Sequence, residues 1–262
     1  MKVRSTAVAG MFYPGEPSHL EQLLSRFFQN RHDSGDAPGI VAPHAGYVYS
    51  GEVASIAYAA IPSSFSGTFV VLGPSHRGYS TCSSAADWET PLGIVDNDRD
   101  FVRALGIEVD EASHEEEHSI EVQLPFIKYR FPRARFAPVM MGFQDEQNAE
   151  EVSGRIQQAV LSTGRDVRVV ASSDFSHYVP AEVARENDLY AIEALKTLDH
   201  ALFYRRVAER GVSACGVGPI AAMLMVCRSR GARAAELLRY STSGDVTGEV
   251  AQVVGYAAVA VR

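Results

Sequence analysis

Cysteine is scarce. Three residues, Cys82, Cys215 and Cys227, are spread over 262 positions, and no two of them form a Cys-x-x-Cys pair. An odd, widely spaced set excludes a disulfide framework and fits free thiols in a reducing cytoplasm. Long apolar runs are also missing. The longest, 220–227 and 257–261, fall well short of the roughly 20 residues that span a bilayer. The N-terminal apolar run is short and stopped by Pro14, so no signal peptide is read. No stripe of Lys and Arg is present, and the net charge is −8 with much of the acid between 108 and 117, which argues against a nucleic-acid footprint. Low-complexity tracts, fixed-period repeats and linkers are absent too, leaving one domain over residues 1–262 as the expectation.

What is present alternates. Ser18 and Glu21 read as a capping box ahead of Leu20, Leu23, Leu24 and Phe27, placing a helix start near residue 18. Strand 38–42, helix 51–61 and strand 68–72 follow. Short strands at 80–86 and 92–96 suggest a hairpin around the lone Trp88. Beyond them come helices near 98–105 and 116–130, strand 135–141, helix 146–162, strand 167–172, helices 181–196, 200–210 and 217–230, and strands 234–242 and 250–261. The pattern predicts an α/β fold: a single domain with a mixed, mainly parallel central sheet and helices on both faces, the last two strands adding an antiparallel edge. Ligands in such folds sit beyond the carboxyl ends of the strands.

Three of the strands end in a histidine. Ile40-Val41-Ala42 runs into Pro43-His44-Ala45-Gly46, and Phe69-Val70-Val71-Leu72 into Gly73-Pro74-Ser75-His76-Arg77. Val169-Val170-Ala171 runs into Ser172-Ser173-Asp174-Phe175-Ser176-His177. Neutral imidazole is the commonest metal ligand, and strand-end loops hold ligands rigidly. His44 and His76 follow consecutive strands, which are often neighbours. A turn after strand 167–172 would bring both Asp174 and His177 to the same wall. The bland alternative is strand-end histidines bonded to backbone. Cys215 lies in a tight loop before a helix, where the dipole would favour a thiolate; a buried inert thiol is the other reading. His118 and Glu121 would share a helix face and make His118 a pocket candidate. If Cys215 were inert, a carboxylate such as Glu121 could complete a metal set. His19, His32, His114 and His200 read as surface residues, Cys227 as core.

Taken together, VAPHAGYVYSG (41–51), LGPSHRG (72–78), EHSIEVQLPF (117–126), ASSDFSHY (171–178) and ACGVGPI (214–220) resemble the MEMO family, the AmmeMemoRadiSam system protein B chains of bacteria and archaea. The opening VAGMFYPGEPSHLEQLL resembles the family's N-terminus, so the likeness spans essentially the whole chain. It implies a fold similar to the class III, LigB-type extradiol dioxygenases. By motif, His44 and His76 match their two ligand histidines and His177, with Asp174 beside it, their acid/base histidine. Cys215 stands where those enzymes carry a carboxylate ligand. The resemblance therefore implies one transition metal on His44, His76 and Cys215, Fe(II) first and Cu or Zn behind it, with catalytic roles for His177, Asp174 and His118.

Two readings of function follow. One is a metal-dependent redox enzyme that acts with an AMMECR-like protein and a radical SAM protein, the partners the resemblance implies. The other is a non-catalytic metal- or ligand-binding scaffold, as for the family's animal relatives, which are described as signalling mediators that bind phosphopeptide and metal. A small-molecule or peptide ligand suits either. A serine hydrolase built on Ser75 or Ser176 is a third reading, but GPSHRG lacks the glycine of a nucleophile elbow.

Overall fold

The computed structural model describes residues 2–262. In chain order the elements are β1 (Val3–Arg4), α1 (Pro17–Phe28), β2 (Gly39–Ala42), α2 (Tyr47–Ala59), β3 (Thr68–Pro74), β4 (Cys82–Ser83), β5 (Asp87–Thr90), β6 (Gly93–Val95), α3 (Arg99–Leu105), α4 (Glu111–His114) and α5 (Leu124–Arg130). The second half adds β7 (Arg135–Met141), α6 (Glu146–Thr163), β8 (Val167–Ser172), β9 (His177–Val179), α7 (Ala181–Ile192), α8 (His200–Arg210), α9 (Val217–Ser229), β10 (Ala235–Thr242), α10 (Gly244–Thr247) and β11 (Val253–Val261).

The central sheet has the order β10-β11-β2-β8-β3-β7-β4, with β9 paired to β11 off this path. β2, β8, β3 and β7 are mutually parallel, while β11 runs antiparallel to β2 and β10 antiparallel to β11. The expected mixed sheet with an antiparallel edge is what forms. Its inner strands β2, β3 and β8 are buried on both faces, so they read as nearly continuous apolar runs. Alternate residues of β3 serve two core layers. Val70 and Leu72 pack with Phe101, Ile156 and Leu224 on one face, Phe69 and Val71 with Tyr58, Phe126 and Phe131 on the other.

Strand order corrects one expectation. β2 and β3 are not neighbours: β8 lies between them, with Ala42 opposite Ser172 and Leu72 opposite Ala171. The β2-α2-β3 crossover leaves a slot that β8 fills later in the chain. Three carboxyl ends therefore lie side by side.

Local chemistry corrects others. α1 starts on Pro17 behind an uncapped Glu16, so no Ser18–Glu21 capping box forms; proline at the first helical position does that work. No helix spans 116–130. Pro125 sits in the first turn of α5 and has no N–H to bond backwards, so the chain ahead of it makes a turn and a short 3-10 segment, Glu121–Gln123. Trp88 lies within β5, which pairs with β6 in a hairpin and with β1, while β4 joins β7 separately. β1, α4, β9 and α10 were not expected.

Gly73, the first residue of GPSHRG, is inside β3. A Cβ there would lie 2.4 Å from Ser119 Oγ and 2.8 Å from Ile120 Cγ1. The bare backbone lets segment 117–120 lie directly on the strand end. Gly73→Ala is expected to cost roughly 1–3 kcal/mol through overpacking, seen as a lower denaturant midpoint at unchanged m value. An unchanged midpoint would contradict the close approach.

Candidate metal centre

The carboxyl ends of β2, β8 and β3 carry the site. The ligand atoms of His44, His76 and His118 all lie within 4.8 Å of one another. His44 is buried, His118 half-buried, and His76 faces outward. The His76 and His118 rings stack at 4.4 Å, and the His44 ring stands edge-on to both, at 5.2 and 5.5 Å. Two histidines expected at the site are there, and His118 joins them from a turn instead of a helix face.

One hydroxyl fixes the tautomer of His44. Ser172 Oγ lies 2.6 Å from Ser119 O, 2.8 Å from Gln123 Nε2 and 2.8 Å from His44 Nδ1. A carbonyl only accepts, so the single Ser172 proton goes to Ser119 O. Gln123 donates to Pro43 O through the same nitrogen, while its Oε1 accepts from Tyr58. Ser172 Oγ must then accept from His44 Nδ1–H, which leaves Nε2 with a free lone pair.

His76 is oriented by a carboxylate. Glu117 is buried; its Oε2 accepts from His76 N at 2.7 Å and its Oε1 from His76 Nδ1 at 2.9 Å and Ser119 N at 2.9 Å. Burial pushes the Glu117 carboxyl up, but the hydrogen bonds it accepts from His76 and Ser119 outweigh it and hold the group well below the usual range. An ionised Glu117 only accepts, so His76 Nδ1 carries the proton and Nε2 is free. This is the carboxylate–histidine arrangement that accompanies metal ligands. Burial, then the charges of His118 and His76, push the His44 imidazole well down, and burial followed by His76 takes His118 down to about 4. Both rings are therefore neutral at pH 7, the form that binds metal.

Cys215 Sγ lies 3.2 Å from His44 Nε2 and 3.2 Å from Asp174 N. The sulfur touches His44 but is not part of the three-imidazole convergence. Burial and the Asp174 carboxylate push its thiol up, so the helix start does not by itself yield the expected thiolate. Asp174 Oδ1 accepts from His44 N at 2.9 Å, which makes the carboxylate a brace for the ligand turn; burial pushes it up to about 6. His177, at the start of β9, donates its backbone N–H to Ser213 Oγ at 2.8 Å and its Nδ1–H to Ser213 O at 2.9 Å, leaving Nε2 free. His177 is close enough for its charge to act on His44 and Asp174.

Glu121 is not available to a metal. It is fully buried and accepts from Arg4 at 2.6 Å, from the amides of Ala7 and Val8, and from Tyr13 at 2.7 Å. The alternative carboxylate site built on Glu121 therefore fails. Arg4, unnoticed in the sequence, also donates to the carbonyls of His114, Glu115 and Glu117, and the Phe12 ring packs on His118 at 4.8 Å. The N-terminal segment thus clamps the loop that carries Glu117 and His118. His114 is buried instead of exposed, its ring against Trp88 and 3.6 Å from Cys82 Sγ. Ser176 Oγ donates to Asp188 and Ser75 Oγ accepts from Tyr79 N, so neither hydroxyl is paired with an imidazole as a hydrolase needs.

The Memo-like protein family model matches residues 4–260. The chain belongs to the MEMO family. A MEMO1 family protein of Methanosarcina barkeri is 47% identical, over 99% of this chain and 100% of its own. MEMO1 family proteins of Methanopyrus kandleri and Archaeoglobus fulgidus are 43% and 41% identical, each over 99% of this chain. The five motifs that carry the MEMO likeness fall on the three strand ends, the Glu117–Gln123 turn and the Cys215 loop, so the family signature and the histidine cluster coincide.

A pH dependence follows. His118 and His114 each drop from 6.5 to about 4 on folding, so the unfolded chain binds more protons across that interval. Their contribution to stability is present above pH 6.5 and lost as pH falls toward 4. Asp174, raised from 3.8 to about 6, acts in the opposite sense over part of the same window. Unfolding midpoints in chelator should fall between pH 6.5 and 4, and His118→Asn should flatten that fall. An equal slope in the variant would contradict the assignment.

Proposed function

We propose that the chain binds one divalent transition metal through Nε2 of His44 and His76, with His118 as third donor and Cys215 as a further one. The convergence of three imidazoles, two of them with Nδ1 protonated by fixed partners, supports this reading above all. Imidazole donors suit iron, copper and zinc, and a soft sulfur beside them favours the softer of these. Fe(II) remains the first assignment, as the family resemblance implies. The thiol donates only after it loses its proton, and a bound cation would drive that loss.

The protein is on this reading a metal-dependent redox enzyme. The metal would supply Lewis-acid and electron-transfer chemistry at the strand ends. His177, held through Nδ1, would take or give a proton at Nε2. Asp174 keeps the His44 turn in place. An AMMECR-like protein and a radical SAM protein are its proposed partners. A second reading, a metal- or ligand-binding scaffold, draws support from the outward-facing His76, which leaves the cluster open to exchange.

Metal titration of purified protein tests the site. Glu117→Gln should weaken binding by about 10–100-fold, as expected for a residue that orients a ligand. His44→Ala and His76→Ala should cost more than that while the circular dichroism spectrum of the folded protein is retained. Cys215→Ser should weaken copper more than cobalt. Undiminished binding in the His44→Ala/His76→Ala double variant would overturn the proposal.

A further inference from the structure

A second group of metal-type donors lies away from the strand ends, where α6 and α8 begin. Each helix opens behind an aspartate that caps its own backbone: the Asp145 carboxylate accepts from Asn148 N, and that of Asp199 from Leu202 N. The residues that follow, Glu146 and His200, meet across the two helix starts, with His200 Nε2 3.3 Å from Glu146 Oε1. Glu150, one turn along α6, joins them on the same face. The donor atoms of all three lie within 4.8 Å of one another. Glu150 and His200 also line a cavity of about 560 Å³, so one side of the group is open to an incoming ion.

A plain ion pair would need one carboxylate. Here two face a single imidazole, and among the described residues no Lys or Arg lies within ion-pair distance of either. Carboxylates one turn apart repel, and the chain offsets at most one of the two charges. The Tyr204 hydroxyl is a separate sign. Tyr204 lies one turn after His200, on the same face of α8. Its oxygen is shut off from solvent and has no hydrogen-bond partner. Burial, then the charges of Asp145, Glu146 and Glu150, push its ionisation up, so the orphaned hydroxyl is beside the carboxylates. An unpaired buried hydroxyl costs free energy that a ligand on a neighbouring ion would recover. We propose a second metal site, in which Glu146, Glu150 and His200 hold one divalent cation. Two carboxylates and one imidazole, drawn from two helices, are a harder donor set than the strand-end imidazoles and thiol. The cation they suit is therefore manganese, where the strand ends suit softer metals. The site stands on its own residues and does not rest on the reading of the histidine cluster.

Manganese(II) titration of the full chain tests it, read by the electron-spin resonance signal of the free ion. The His44→Ala/His76→Ala double variant, whose strand-end cluster is disabled, should still bind one equivalent. Adding Glu150→Gln to that background keeps the side chain's size, removes a repulsion, and should weaken the binding roughly tenfold or more. Adding His200→Ala instead should do the same. Manganese should raise the melting temperature of the double variant, because only the native chain gathers the three donors, and should leave that of the Glu150→Gln triple variant where it was. A double variant that binds no manganese would overturn the proposal, whatever the strand-end cluster does in the unaltered protein. Binding that is undiminished by Glu150→Gln and by His200→Ala would show an adventitious ion only, on other surface carboxylates, and would overturn it equally.

Discussion

The site depends on one proton, that of the Ser172 hydroxyl. Ser172 ends β8, the strand that lies between β2 and β3, so its Oγ is central to everything on the neighbouring strand ends. Because its proton is spent on Ser119 O, the oxygen can only accept from His44 and Gln123. The tautomer of a buried imidazole is thereby set by a backbone carbonyl two contacts away. Buried networks of this kind are favourable only when every member is satisfied, and here each polar atom of Gln123 and Ser172 has a partner.

A second network carries the opposite wall. Two buried carboxylates, Glu117 and Glu121, lie four residues apart and do different work. Glu117 faces the histidines; Glu121 faces away and gathers Arg4, two amides and Tyr13. A buried charge is tolerable only with a partner and further hydrogen bonds. Arg4 supplies both, and its remaining donors tie down the carbonyls of the loop between α4 and Glu117. Residues 3–13 are therefore a wall of the site and not a loose end.

Much of this was legible in the sequence. Strand–helix alternation specified the α/β layers, and the apolar runs of β2, β3 and β8 announced buried parallel strands. Each strand-end histidine could be found because a motif placed it just past the run. Strand order could not be found, because nothing local records that β8 inserts between β2 and β3. The reading of His118 and Glu121 as helix-face partners failed because the helix starts only at Leu124, with Pro125 in its first turn, and the chain ahead of it forms a turn and a short 3-10 segment. Tertiary burial decided His114 and Glu121, and a sequence shows only that they are polar. Arg4 gave no signal, since a lone basic residue near the N-terminus looks like any surface charge until its acceptors are known.

The central claim is that His44 is a neutral imidazole with its proton on Nδ1 and its lone pair turned toward His76 and Cys215. Long-range proton–nitrogen correlation spectra of protein labelled with nitrogen-15 histidine read this directly. For His44 at neutral pH in chelator they should show Nδ1 protonated and Nε2 bare, and the assignment should be lost in Ser172→Ala. A proton on Nε2, or a doubly protonated His44, would contradict the account, because the ring would then have no lone pair to offer a metal.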